Sequence, residues 1–234
     1  VIDPNRKLFE AVVVVLRPLL GELVFVGGCT TGLFLTEPAA GGIRLTKDVD
    51  AIVNVATYAQ YAALSERLRA LGLTEDTTEG APLCRWRYRD LLIDIMPLDE
   101  HVLGFSNRWY PSAIESAEVR SVGGLAIRLV TPAYFVATKL EAFHARGAGD
   151  FTASHDIEDI VTVIDGRSEI VGEIATATSE VRDYIASEIR ALVDDRDFIE
   201  ALAGFLLLDA ASRRGDRCWK NVFARSPVCP EHIG

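Results

Sequence analysis

No stretch of 18 or more apolar residues occurs in the sequence: the best candidate, AVVVVLRPLL, is interrupted by Arg17 and Pro18. A membrane-spanning helix, which needs about 20 such residues, is therefore not expected. That apolar stretch follows a mixed DPNRK segment and lacks a small-residue cleavage pattern, so a signal peptide is not expected and a cytoplasmic protein is. Cysteine is scarce. Cys29, Cys84, Cys218 and Cys229 form no C-x-x-C pair and have no histidine at zinc-finger spacing, which points to free thiols in a reducing compartment. His101, His144, His155 and His232 show no ligand spacing, and there is no G-x-S-x-G elbow to suggest acyl chemistry. Positive charge is also short, with 24 Lys and Arg against 34 Asp and Glu and a net charge of -10. Sequence-blind adhesion to nucleic acid rests on phosphate neutralisation, so only a local basic groove remains open to it.

What is present is an ordinary globular composition, 49% apolar and 25% charged over 234 residues, enough for one large domain or two small ones packed together. Apolar residues at three- and four-residue spacing predict a helix over 5–22, and ELVFV predicts a short strand closed by Gly27 and Gly28. CTTGLFLT reads as the start of a helix capped by Thr30 or Thr31, and LTKDVDAIVNV as a β-branched strand. A helix over 57–72 ends at Gly72. LCRWRYRD and LLIDIMPL then read as a hairpin meeting at Arg89 and Asp90, and AEVRSVGGLAIRLVT as a second strand pair. From Pro132 helical spacing dominates, over 132–147, 154–166, 173–195 and 196–213. The pattern implies an α/β (α+β) fold: a mixed sheet with flanking helices over 1–130, followed by a helical domain over 131–234.

Three features carry chemistry. Residues two apart on a strand share a face, so Asp48 and Asp50 present neighbouring carboxylates. Read alone, such a pair also suits a turn cap and a solvated strand end, or a partnership with Lys47. Gly27 and Gly28 followed by a helix start offer bare amides, with Cys29 and Thr30, to phosphate oxygens. Asp94 sits mid-strand in LLIDIMP, where an unpaired carboxylate is costly to bury. A metal shared by Asp48, Asp50 and Asp94 would neutralise all three. Arg85, Arg87 and Arg89 alternate along one strand opposite Trp86 and Tyr88, which suits an anionic guest or a solvent-facing strand. Trp109 and Tyr110 read as base-stacking or packing aromatics.

In order and chemistry, FVGGCTTGLFL, TKDVDAIV and LLIDIMP resemble the glycine-pair, D-h-D and third-acid signature of the DNA polymerase β-like nucleotidyltransferase superfamily. ATKLEAFHARG, with Lys139 and Arg146, and SHDIEDIV, with Asp156 and Asp159, resemble the helical half of its AbiEii-type branch, which includes toxins of toxin-antitoxin pairs. The likeness covers roughly 23–165. It departs at His155, where a more basic residue is usual, and in a lengthened loop before Asp48. The resemblance implies a nucleotidyltransferase fold and transfer of a nucleoside monophosphate from a nucleoside triphosphate to an acceptor hydroxyl with release of pyrophosphate. It implies Asp48, Asp50 and Asp94 as catalytic and metal-holding (Mg2+ or Mn2+), with Lys139 and Asp156 as further catalytic residues. Gly27, Gly28, Cys29, Thr30 and Arg87 are then the nucleotide-binding set. It also implies tRNA or other RNA as acceptor and a cognate antitoxin as partner. Transfer to an aminoglycoside-type small molecule or a protein side chain, and a non-catalytic nucleotide- or partner-binding module, are the alternatives.

Overall fold

The computed structural model describes residues 2–37, 42–146 and 150–206. The first helix, α1 (Arg6–Val15), buries Phe9, Val12 and Val13 on one face. It is shorter than the periodicity predicts because Pro18 lacks an amide hydrogen and disfavours helical geometry at Arg17; a 3-10 turn, Arg17–Leu19, follows instead. Next come β1 (Leu23–Val26), β2 (Asp48–Val53), α2 (Tyr58–Ala70), β3 (Thr74–Glu75), β4 (Arg85–Tyr88) and β5 (Leu91–Pro97). The short helices α3 (Glu100–Leu103) and α4 (Tyr110–Glu115) lead to the hairpin β6 (Glu118–Val122) and β7 (Leu125–Leu129). From there the described chain is helical: α5 (Pro132–Ala145), α6 (His155–Gly166), α7 (Ile170–Thr176), α8 (Ser179–Asp194) and α9 (Arg196–Phe205).

The described strands form one mixed sheet in the order β3-β4-β5-β2-β1-β7-β6. β1 runs antiparallel to β2 and parallel to β7, while β2 runs parallel to β5. All four residues of β1 are buried, as its uninterrupted LVFV requires of a central strand. α5 is buried over the whole of Pro132–Leu140, so it is the helix around which α6, α7 and α8 pack. The segment after β1 is tied to these helices. The Phe34 and Phe135 rings lie 4.8 Å apart, Arg167 donates to the Phe34 carbonyl at 2.7 Å, and the Thr36 amide donates to the Gly166 carbonyl at 2.9 Å.

Two further expectations change. The helix expected after the glycine pair is a six-residue 3-10 turn, Gly28–Leu33, in which Thr30 bonds back to the Gly27 carbonyl instead of capping forward. The long helix expected over 173–195 is two, because the chain turns extended at Ala177 and Thr178. β3, α3 and α4 are too short to leave a periodic signal. The end of the helix expected over 196–213, with Cys218 and Cys229, lies outside the described residues. Among those residues no helix is long and apolar enough to cross a membrane.

Candidate functional site

Strand register builds the site. Val26 of β1 pairs with Asp50 of β2, Asp50 with Asp94 of β5, and Asp94 with Arg85 of β4. Paired residues on adjacent strands share a face, so Asp50, Asp94 and Arg85 form a row across the sheet, with Asp48 beside them two residues from Asp50. All four line one pocket of about 500 Å³. Arg85 grips Asp94 with a fork, Nε to Oδ1 and Nη2 to Oδ2, each at 2.8 Å, and Nη2 also reaches Asp48 Oδ2. The Asp50 carboxylate accepts no hydrogen bond and joins no ion pair among the described residues. Burial, reinforced by the charges of Asp48 and Asp94, raises its pKa to about 7, against the pull of Lys139 and Arg146. Burial also raises Asp94, although Arg85 opposes it.

The opposite wall comes from α5 and the first turn of α6, whose start is capped by Ser154 accepting from the Ile157 amide. Lys139, 8% exposed, reaches Asp156 at 3.0 Å and Asp159 at 2.7 Å. Arg146 pairs with the other oxygen of Asp156. Burial opposes ionisation of Asp156, but Lys139 and Arg146 outweigh it and hold its pKa below the ordinary carboxylate value. Burial likewise works against the Lys139 ammonium, and the charges of Asp159 and Asp156 raise its pKa in spite of it. Arg44 completes this wall with a second fork, Nε and Nη2 each 3.0 Å from Asp159. Its loop is fixed by Asn5, fully buried, which donates to the Arg44 carbonyl and accepts from the Thr46 amide at 2.9 Å each.

The pocket is thus bipolar. On the sheet side two of three carboxylates, Asp48 and Asp94, share one guanidinium and Asp50 has none; on the helix side three cations share two carboxylates. The glycine pair lies under the junction. A side chain on Gly27 would fall on the Asp50 carboxylate, and one on Gly28 would meet the Arg44 guanidinium.

Asp48, Asp50, Asp94, Lys139 and Asp156, expected as catalytic, all line this pocket. The expected nucleotide-binding set is mostly elsewhere. Gly28, Cys29 and Thr30 are buried, Gly28 against the Arg44 guanidinium, and the Thr30 amide and hydroxyl both bond to the Gly27 carbonyl, at 3.1 and 2.8 Å. Gly27 borders a smaller recess next to Asp50. Arg87 turns to Asp76 at 3.0 Å, away from the pocket, and Arg89 leaves the strand in the hairpin turn with φ 54°. Trp109 and Tyr110 are core residues: Trp109 packs on Tyr134 and Tyr184, and the Tyr110 hydroxyl meets the Met96 sulfur at 3.2 Å. Burial pushes the Cys29 and Cys84 thiols up to about 12, which removes them as nucleophiles at neutral pH. Arg44 was not legible in the sequence, because its partner lies 115 residues away.

Asp48, Asp50 and Asp94 are oxygen donors of the kind that suit Mg2+ or Mn2+, and their charge is under-compensated. In the arrangement described, Arg85 stands between two of them, and no three His, Cys, Asp or Glu side chains among the described residues are poised around one ion position.

No protein-family model matches the chain, and no curated protein matches it. Among solved structures it is similar to an antigenic nucleotidyltransferase-like protein from Paracoccidioides brasiliensis, at 16% identity over 86% of this chain and 93% of that one, with a TM-score of 0.50. It is also similar to the antibiotic-resistance factor ANT(2'')-Ia, at 14% identity over 81% of this chain and 93% of that one, with a TM-score of 0.47. The first likeness shows a nucleotidyltransferase-like fold: a mixed sheet with flanking helices.

Proposed function

We propose that the chain is a nucleotidyltransferase, moving a nucleoside monophosphate from a triphosphate to an acceptor hydroxyl and releasing pyrophosphate. The observation that carries this reading is the row Asp50, Asp94, Arg85, with Asp48 beside it and Gly27 packed against Asp50. Asp48, Asp50 and Asp94 would hold Mg2+ or Mn2+, which when bound stabilises the attacking and departing oxygens of an in-line displacement. Asp94, whose pKa burial raises, would take the proton of the acceptor hydroxyl. Lys139, Arg146 and Arg44 supply positive charge to the triphosphate tail in place of the expected glycine amides. Asp156 and Asp159 act on those cations, holding them at one wall.

For the acceptor, the resemblance of ATKLEAFHARG and SHDIEDIV to AbiEii-type toxins supports tRNA or another RNA, with a cognate antitoxin as partner. The net charge of -10 favours a second reading, a cationic hydroxylated small molecule of the aminoglycoside type. Incubation with Mn2+ and each labelled triphosphate, with tRNA, with a panel of aminoglycosides and without acceptor, shows where label goes. Transfer that disappears in Asp48→Ala supports the proposal. Bound triphosphate with no label on any acceptor overturns it in favour of a binding module.

A further inference from the structure

Two of the carboxylates assigned above to a metal, Asp48 and Asp94, already have a cation. Arg85 reaches Asp94 with two nitrogens at 2.8 Å and extends one of them to Asp48, so one guanidinium ties together side chains from two strands. The pair is shielded, with the Arg85 side chain 18% exposed and that of Asp94 9% exposed, and such a pair is weakly screened by salt. Register holds the Arg85 backbone beside Asp94, while its long, flexible type of side chain lines the pocket. A divalent ion held by Asp48 and Asp94 would draw on carboxylates whose oxygens, both of Asp94 and Oδ2 of Asp48, already accept from Arg85, and its charge would repel the guanidinium there.

We propose that Arg85 is a resident counter-ion of the proposed metal site, and that a divalent cation binds only by displacing its guanidinium from Asp48 and Asp94. This rests on the nucleotidyltransferase reading. Arg85 lets the acids remain clustered before loading, and it lowers the affinity for free metal.

Mn2+ titrated calorimetrically into the whole chain, without nucleotide, tests this. Arg85→Gln removes the competing charge and is expected to tighten Mn2+ binding by roughly tenfold or more, while melting lower than wild type without metal. Arg85→Lys keeps the charge and is expected to bind Mn2+ close to wild type. Equal or weaker binding by Arg85→Gln overturns the inference alone. Absence of Mn2+ binding by wild type and Arg85→Gln alike overturns the metal-dependent reading beneath it as well. Should Arg85→Gln fail to fold, wild type labelled with 15N-arginine gives the same answer: Mg2+ is expected to shift the Arg85 Nε signal saturably, and an unmoved signal overturns the inference.

Discussion

Gly27 has φ 75° and ψ -179°, a combination open to glycine and costly to any residue with a Cβ, by about 1–3 kcal/mol. Its missing side chain is also the space that the Asp50 carboxylate fills. Gly27→Ala is therefore expected to lower the melting temperature and to abolish transfer together, because the added methyl turns Asp50 out of the row. Thermal melting and a transfer assay on one preparation check this; a destabilised but active variant would contradict it. Asp50 gives the converse case. Its charge is under-compensated, with a pKa raised to about 7, so Asp50→Asn should raise the metal-free melting temperature at pH 8 by roughly 2–8 °C while removing activity. A site that costs stability in this way is expected of function rather than packing. Asp48, Asp50 and Asp94 were legible because strand alternation fixes which face a side chain takes. Arg87 was misread by the same rule, since alternation gives a face but not the distance along the strand to the partner. Asp76, beyond β3, claims it.

At the scale of elements, α5 and α6 are joined by charge inside an apolar interface. Lys139 and Asp156 are both nearly buried, and Asp159 stays on Lys139 when Asp156 loses its charge, so the loss is that of charge-assisted hydrogen bonds, about 1.5–3 kcal/mol. Asp156→Asn should destabilise the protein by that order at pH 7 in urea unfolding. The pH dependence follows from the direction of the shift. The folded pKa of Asp156 lies below its ordinary 3.8, so its contribution is complete above that value and is lost as pH falls through the folded pKa. The gap between wild type and Asp156→Asn should therefore close at acid pH; a gap independent of pH would show that the pair is not the cause. Helix periodicity located α5 and α6, and the ends it missed have local chemical reasons. Pro18 cuts α1 short, and the extended residues Ala177 and Thr178 separate α7 from α8. The turn after Gly27 kept the expected position, in a tighter form than the expected helix. Its amides were to hold phosphate, yet Thr30 closes back onto the Gly27 carbonyl and Arg44 covers Gly28. Arg44 comes from a distant pairing with Asp159 that no short window contains.

Over the whole molecule the charges of the pocket and of the surface pull against each other. The cations on the helical wall are each paired with a carboxylate, so at long range a nucleic acid meets the net charge of -10 before it meets Arg44, Lys139 or Arg146. Salt screens that repulsion over a Debye length of roughly 10 Å at 0.1 M, while the shielded pairs in the pocket are affected much less. The two acceptor readings therefore have opposite ionic-strength signatures. For tRNA, kcat/KM should rise as salt is raised from about 20 to about 200 mM, because the encounter is repelled. For a cationic aminoglycoside it should fall over the same range, because the encounter is attracted. Measuring transfer to each acceptor across that range, with the triphosphate saturating so that its own binding drops out, separates them. A steep fall with salt for tRNA would mean that phosphate neutralisation dominates after all. The acidic surface would then be no guide to where RNA docks.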